Sequence, residues 1–205
     1  MTRDDERIQR AQEEPIVGSL PDVPGIGVAM RLTPGLGIHL RALADELLVN
    51  DYPGATVTRA EREMMATAVS AANDCFFCMD SHSAHATAVL EASGQTEFIP
   101  LMEVITVGSD EGLSDKMRAL LAIARTVGRN ALELTADDVD AALAAGATDG
   151  DVQLAVLIAS GFSMYNRLVD GFRARTAPVT EVYRERAAEI AANGYSAPTA
   201  IPARR

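Results

Sequence analysis

Length, composition and charge already exclude several classes of protein. The chain has 205 residues, of which 48% are hydrophobic and 23% charged, a composition typical of globular rather than disordered proteins. Eighteen basic residues against 29 acidic ones give a formal net charge of −11, which argues against nucleic acid or an anionic membrane as the main partner. The 35 alanines favour an all-α protein, because alanine is the best helix former.

No segment of the sequence predicts a membrane span or a secretion signal. The best apolar candidate, Val152–Tyr165, is shorter than the roughly 18 residues that a transmembrane helix needs. Met1–Arg10 is charged and lacks the apolar segment of a signal peptide. We therefore expect a cytoplasmic protein that contacts no membrane.

Hydrophobic periodicity divides the chain into a series of helices. Thr2–Glu14 is polar and is predicted to be a frayed arm, and the Gly- and Pro-rich segment Pro15–Pro34 is predicted to be irregular, with a short helix at Ile26–Leu32. Further helices are predicted, in chain order, over Gly37–Val49, Arg59–Ala72, Cys75–Ala92, Thr96–Val107, Asp115–Arg129, Ala136–Ala145, Asp151–Arg173 and Thr180–Ala192. The final segment, Tyr195–Arg205, is expected to be loose.

Capping residues mark the starts of several of these helices. Thr58 and Glu61 match a capping box, in which each side chain accepts a hydrogen bond from a free backbone N–H. Asp74 is predicted to cap the helix that begins at Cys75, since aspartate accepts from N–H groups two or three residues on. Further N-caps are predicted at Ser114, Thr135 and either Thr148 or Asp149.

One cluster of residues carries recognisable chemistry. Cys75, Cys78, His82 and His85 follow one another at spacings of three, four and three, which place all four side chains along one face of a helix. Glu63 lies on the preceding helix, and an antiparallel turn between the two helices brings it level with residue 85. A hydrogen bond from Glu63 to His82 or to His85 is therefore predicted.

The first interpretation of this cluster is redox chemistry. A thiolate attacks peroxides and disulfides, and a helix N-terminus favours the thiolate form. His82 lies one turn after Cys78, the right spacing for a base, and Glu63 would orient its imidazole. Cys75 would allow the oxidised sulfur to resolve as a disulfide.

Two other interpretations use the same residues. Two Cys and two His match the ligand types of structural zinc, but donors spread over roughly 15 Å of one helix cannot all lie about 2.0–2.3 Å from one ion. The cysteines could instead be small buried hydrophobes, with His82 a hydrogen-bonded core histidine. We expect no bound metal and no cofactor.

The cluster resembles the alkylhydroperoxidase D-like (AhpD-like) branch of the carboxymuconolactone decarboxylase superfamily. The pattern of this branch is a Glu, eleven residues, Cys-x-x-Cys, three residues and a His, and Glu63, Cys75, Cys78 and His82 match it at every spacing. The similarity covers Gly27–Arg175 and includes the segments Thr58–Asn73 and Ser163–Gly171.

The resemblance implies an all-α fold, a single-domain helical bundle of the AhpD-like type, and peroxiredoxin-type reduction of hydroperoxides. It implies Cys78 as the peroxidatic cysteine and Cys75 as the resolving one, with Glu63 and His82 relaying the proton. From the residues alone the order of the cysteines stays open, because the helix terminus favours Cys75 and the His82 spacing favours Cys78. Assembly into homo-oligomers, trimers or hexamers, is also implied.

The same resemblance divides the chain into an N-terminal arm and irregular segment over residues 1–26, an AhpD-like helical domain over 27–175, and a C-terminal helix with a loose tail over 176–205. One departure from the branch matters. Its best-known members carry a His between the cysteines, where this sequence has Phe76 and Phe77. These rings cannot move protons and make the site drier, so His85 becomes a candidate auxiliary residue.

The function predicted from the sequence is a thiol-dependent hydroperoxide reductase, an antioxidant enzyme with a hydroperoxide substrate and a thiol or dithiol reductant. The alternatives are a general disulfide oxidoreductase and a non-peroxidatic oligomeric binding or scaffold protein. Asn166, Arg167 and Asp170 lie on an otherwise apolar helix, where they could line a site or an interface. A local pair between Arg167 and Asp170 is the simpler explanation for two of them.

Overall fold

The protein is all-α, as predicted. The computed structural model describes residues 3–14, 16–176 and 183–197, and this part of the chain contains ten α-helices, two short 3₁₀ helices and no β-strand. The helices are α1 (Arg3–Gln12), α2 (Gly27–Leu32), α3 (Pro34–Leu48), α4 (Arg59–Ala72), α5 (Phe76–Ser93), α6 (Leu101–Thr106), α7 (Asp115–Asn130), α8 (Ala136–Ala144), α9 (Asp149–Gly171) and α10 (Arg184–Asn193), with 3₁₀ helices at Thr96–Phe98 and Ala131–Glu133.

The predicted caps account for the starts of four helices, α4, α7, α8 and α9. At α4, Glu61 Oε2 accepts from the Thr58 N–H at 2.7 Å, and the Thr58 hydroxyl accepts from the Glu61 N–H at 3.3 Å, which completes the capping box. Equivalent hydroxyl caps precede α7, α8 and α9 at Ser114, Thr135 and Thr148. The helix predicted over Thr96–Val107 is instead broken into a 3₁₀ helix and α6, which begins directly after Pro100.

The prediction of a frayed N-terminal arm is wrong for its described part, which forms α1. This helix is held by Arg7, whose guanidinium donates to both carboxylate oxygens of buried Asp80 at 2.8 and 3.0 Å. The same guanidinium lies 5.6 Å from the centre of the Phe76 ring. Both partners lie on α5, about seventy positions further along the chain, so local sequence patterns could not have predicted the contact.

The turn between α4 and α5 is a Schellman motif. The Asp74 N–H donates to the Ala71 carbonyl and the Cys75 N–H to the Ser70 carbonyl, while Asp74 adopts the left-handed conformation at φ 55°. Asp74 therefore ends α4 and does not cap α5, which corrects the sequence prediction. Cys75 is itself the N-cap residue of α5, so the turn delivers the first cysteine directly to the start of the helix.

Helix α4 forms the centre of the bundle and packs against α5, α7 and α9. Eleven of its fourteen residues are buried, and the core around it is filled by Leu, Ile, Met and Ala side chains. By length and composition alone α9 could cross a bilayer, with a mean hydropathy of 1.2 in its most apolar window. Because 56% of that window is buried inside the fold, α9 serves here as a core helix.

A buried carboxylate joins the start of α9 to the segment before α4. Asp151 is fully buried, and its Oδ1 accepts from the backbone N–H groups of Thr56 and Val57 at 2.6 and 2.9 Å. Its Oδ2 accepts from the Thr148 N–H at 3.1 Å and pairs with Lys116 at 3.0 Å. These hydrogen bonds hold the pKa of the Asp151 carboxyl well below its ordinary value despite its burial.

Candidate active site

The antiparallel pairing of α4 and α5 brings Glu63 against His82. His82 Nδ1 lies 2.7 Å from Glu63 Oε2, and the two residues are 9% and 0% exposed. The hydrogen bond that the helix register predicted is therefore present. The alternative prediction, a direct hydrogen bond between Glu63 and His85, is not met, because His85 Nδ1 is 4.0 Å from the same oxygen.

Tyr195 fills the gap between Glu63 and His85. Its hydroxyl donates to Glu63 Oε1 at 2.8 Å and lies 2.9 Å from His85 Nδ1 and 3.3 Å from His82 Nδ1. The ring is 8% exposed and stacks on His82 with an interplanar angle of 21°. The sequence prediction that Tyr195 belongs to a loose tail is thus wrong, while residues 198–205 of that tail lie outside the described residues.

Contacts from two helices and the backbone conformation of one glycine hold the segment that carries Tyr195. Asp45 on α3 accepts from the Tyr195 N–H at 2.6 Å and from the Ser196 N–H at 2.9 Å. Arg59 on α4 donates to the last carbonyls of α10, those of residues 190 and 191, at 2.6 and 2.7 Å. Gly194 has φ 78° and ψ −175°, a region open essentially to glycine alone, and a Cβ there would lie 2.8 Å from Asp45 Oδ1.

Both cysteines are reduced and buried, at 1% and 2% exposure. Cys78 lies in the first turn of α5, where backbone N–H groups without helical partners favour a negative charge. The Cys75 sulfur lies 4.0 Å from the Asn166 carbonyl oxygen. A hydrogen bond to Cys78, and then burial, raise the pKa of the Cys75 thiol well above its ordinary value.

The polar residues of α9 separate into two groups. Asn166 is buried and bonds Asn73 and Ser70, the residues at the end of α4 beside the cysteine turn. Asp170 interacts with Cys75, and burial raises the pKa of its carboxyl to about 6. The local pair predicted between Arg167 and Asp170 is replaced by a bond from Arg167 to the Ser163 carbonyl at 2.8 Å.

The outer side of the cysteine turn is covered by aromatic rings and by α1. Phe77 lies over Gly25, where a Cβ would be 2.2 Å from the ring, and meets Tyr183 edge-on at 5.7 Å. A cleft of about 450 Å³ opens between α1 and the end of α9. A neighbouring cavity of about 20 Å³, whose walls include Phe76, Phe77 and Asp170, has room for roughly one water molecule.

Burial determines the protonation states of His85 and Tyr195, the two residues that are hydrogen-bonded to each other beside Glu63. It lowers the pKa of His85 well below the ordinary value, with the nearby His82 ring adding to the effect. Burial and the neighbouring Glu63 carboxylate raise the pKa of Tyr195 well above its ordinary value. At neutral pH, therefore, His85 is a neutral imidazole and Tyr195 a neutral phenol.

Glu63, His82 and His85 are also residue types that bind metal ions, and their ligand atoms lie within 4.8 Å of one another. Both carboxylate oxygens of Glu63 and the Nδ1 atoms of His82 and His85 are already hydrogen-bonded to another member of the group or to Tyr195. The described geometry is therefore that of a hydrogen-bonded network. The absence of a metal remains a prediction from the sequence.

Replacing Asp170 by asparagine is expected to stabilise the protein at pH 7 while leaving its stability at pH 4 nearly unchanged. The folded-state pKa of about 6 exceeds the unfolded value of about 3.9, so stability from this group is lost as the pH rises through 6. We expect a gain below about 1 kcal/mol at pH 7, because solvent screens a partly exposed carboxylate. Urea unfolding at both pH values measures the effect, and a gain of equal size at pH 4 and pH 7 would contradict it.

Comparison with known proteins finds a family match over the segment that contains this site. Residues 39–125 match the carboxymuconolactone decarboxylase family, and this segment is called the family domain below. It contains the predicted site residues Glu63, Cys75, Cys78, His82 and His85, so the superfamily resemblance found in the sequence is confirmed.

Two crystal structures are similar to the fold that surrounds this family domain. One, described as an alkylhydroperoxidase AhpD core and an uncharacterized peroxidase-related protein from Ralstonia eutropha JMP134, is 24% identical with a TM-score of 0.66 over 81% of this chain and 82% of that one. The other, an uncharacterized peroxidase-related protein from Silicibacter sp. TM1040, is 23% identical with a TM-score of 0.63 over 85% and 93%. The fold is thus AhpD-like. No curated protein matches the sequence.

Tyr195 and Asp170 lie outside the family domain, and sequence reasoning missed the first of them entirely. Its contacts with Glu63 and His85 join residues 132 and 110 positions apart. The only local indication was Gly194, a helix-ending residue directly before an aromatic side chain. Asp170 was noticed as a polar residue on an apolar helix, although its partner turned out to be Cys75 rather than Arg167.

Proposed function

We propose that the protein is a thiol-dependent hydroperoxide reductase that uses Cys78 and Cys75 as a redox pair. The observation that carries the proposal is the buried 2.7 Å hydrogen bond between Glu63 and His82, one helical turn after Cys78 at the start of α5. Because His82 Nδ1 is bonded to Glu63, Nε2 is the nitrogen left to take up a proton from a thiol. The carboxylate then stabilises the resulting imidazolium.

The first step oxidises Cys78. Its thiol proton passes to His82, and the thiolate attacks one peroxide oxygen, so that an S–O bond forms as the O–O bond breaks. The imidazolium returns the proton to the leaving alkoxide, which departs as an alcohol or, from hydrogen peroxide, as water. The sulfur is oxidised to a sulfenic acid and the peroxide is reduced.

The second step closes a disulfide. The Cys75 sulfur attacks the Cys78 sulfenic acid, a S–S bond forms, and the displaced hydroxide leaves as water with the proton of Cys75. The raised pKa of Cys75 supports this order, because a thiol that keeps its proton is a poor first nucleophile. An external thiol or dithiol then reduces the disulfide and restores both thiols.

Burial of the thiols favours a small oxidant over a protein disulfide. With the cysteines no more than 2% exposed, a small peroxide needs a much smaller local opening to reach a sulfur than a disulfide carried on another protein does. The peroxidase-related description of both structural neighbours supports the same choice. A hydroperoxide substrate, a thiol or dithiol reductant, homo-oligomerisation and a cytoplasmic location stay predictions from the sequence.

Substitution of each cysteine by serine tests the proposal. Cys78→Ser is expected to abolish peroxide consumption in the presence of dithiothreitol, because serine cannot be oxidised in this way. Cys75→Ser is expected to complete the first step and to accumulate a sulfenic acid on Cys78, detectable by mass spectrometry after trapping. Peroxide consumption by Cys78→Ser at the wild-type rate would exclude Cys78 as the peroxidatic residue, whereas no peroxide consumption by the wild type would leave a binding or scaffold protein.

A further inference from the structure

We infer that Tyr195 is a positioning residue of this site, the hydroxyl that fixes which ring nitrogen of His85 carries a proton and which way the Glu63 carboxylate faces. The inference rests on the proposed function for its catalytic consequence. It extends that function by assigning a role to a residue outside the family domain.

A phenol hydroxyl has one hydrogen to donate, and two acceptors compete for it here. Tyr195 Oη lies 2.8 Å from Glu63 Oε1 and 2.9 Å from His85 Nδ1. The hydroxyl donates to Glu63 Oε1, the nearer of the two, so its one hydrogen is not available to His85. The bond to His85 then requires that His85 Nδ1 be the donor and that its single ring proton lie on Nδ1.

The same reasoning fixes His82. Glu63 Oε2 accepts only, so His82 Nδ1 donates to it at 2.7 Å. Both oxygens of the buried carboxylate are then held, one by Tyr195 and one by His82. The carboxylate cannot rotate without breaking one of these bonds, so Tyr195 indirectly sets the ring orientation of His82.

Several hydrogen bonds hold the backbone on either side of Tyr195 in place. Asp45 binds two successive backbone N–H groups, those of Tyr195 and Ser196, and the carbonyls that end α10 are bound by Arg59. The glycine-only conformation of Gly194 lets the chain leave α10 at the angle that directs Tyr195 inward. Contacts from α3 and α4 thus fix the backbone segment that places the Tyr195 hydroxyl between α4 and α5.

Nuclear magnetic resonance of the histidine rings tests the assignment without reference to activity. The chain has three histidines, so the ring nitrogen signals of His82 and His85 can be distinguished from those of His39 by single substitution. In the metal-free wild-type protein we expect the Nδ1–H form of His85. In Tyr195→Phe we expect His85 to move to the Nε2–H form or to a mixture of both.

A parallel measurement follows oxidation of the cysteines by hydrogen peroxide. Tyr195→Phe is expected to slow it roughly tenfold, the size of effect that loss of one hydrogen bond to a buried charged group produces. Gly194→Ala, which displaces the same segment through the clash with Asp45, should reproduce both changes. Tyr165→Phe is the matched control, because it removes a buried tyrosine hydroxyl bonded at 2.6 Å to the Leu40 carbonyl.

The outcomes separate the two proposals. An unchanged His85 tautomer in Tyr195→Phe, or the same tautomer change in Tyr165→Phe, overturns the role of Tyr195. One tightly bound metal ion per chain in the purified protein overturns it as well, since the ion would take the ring lone pairs. If the wild type fails to react with peroxide, the proposed function is wrong. The ring nitrogen signals of His85 still test whether Tyr195 fixes its tautomer.

Discussion

Replacing His82 by alanine is expected to slow peroxide-driven oxidation of the cysteine pair by about 10²–10⁴-fold at neutral pH, the usual contribution of a proton-transfer group. The variant loses the only base placed one turn after Cys78, and it leaves the buried Glu63 carboxylate without its 2.7 Å partner. Stopped-flow measurement of thiol loss under single-turnover conditions separates this step from re-reduction.

Two further variants sharpen the result. Glu63→Gln should be less severe than His82→Ala, because an amide keeps one accepting oxygen but lacks the charge that stabilises an imidazolium. His39→Ala on α3 serves as the control histidine and should react at the wild-type rate. A loss below about threefold in His82→Ala would reject the relay, since proton-transfer groups contribute far more than that.

The largest effect on stability is expected at Asp151. Asp151→Ala should lower the free energy of unfolding by about 3–5 kcal/mol at pH 7, the cost of breaking a buried, charged hydrogen-bond network. The substitution leaves the N–H groups of Thr56, Val57 and Thr148 without their acceptor and leaves Lys116 without its carboxylate. Denaturant unfolding followed by circular dichroism measures the loss.

The pH dependence of the Asp151 effect has a definite sign. Because the folded-state pKa of this carboxyl is depressed, its contribution is present above the unfolded value of about 3.9 and is lost as the pH falls below it. The difference between wild type and Asp151→Ala should therefore shrink on acidification. Asp138→Ala is the matched control, since Asp138 occupies the same capping-box position of α8 on the surface, and its effect should be much smaller. Equal losses in the two variants would contradict the network argument.

Local chemistry made much of this fold predictable. The capping boxes at Thr58 and Thr135 and the cap at Ser114 lie within four residues of the N–H groups they serve, so their helix starts could be found from the sequence. Helix α1 could not, because its polar sequence is held by a contact with Asp80 on another element. Asp74 shows a subtler error, since one aspartate can either begin a helix or end one, and only the backbone angle decides.

The candidate site also contains one contact that the sequence predicted and one that it did not. Glu63 and His82 could be paired in advance, because an antiparallel helix pair with a short turn has a calculable register. Tyr195 reaches them across more than a hundred positions, and its path depends on how Asp45 and Gly194 direct the chain. No periodicity or spacing rule contains that information. Side-chain pairs within one hairpin of helices were predictable, and closure of the site by a distant segment was not.

The entry of Tyr195 from beyond the family domain has a consequence for chimeric proteins. A chimera that kept residues 39–125 and took both flanks from another protein that matches the same family would retain Cys78, His82 and Glu63. It would receive a foreign residue, or none, where the tyrosine hydroxyl now binds Glu63. If Tyr195 has the positioning role inferred above, two proteins with the same cysteine motif are expected to differ in thiol reactivity, because the hydrogen that holds the carboxylate is supplied by a flank and not by the motif.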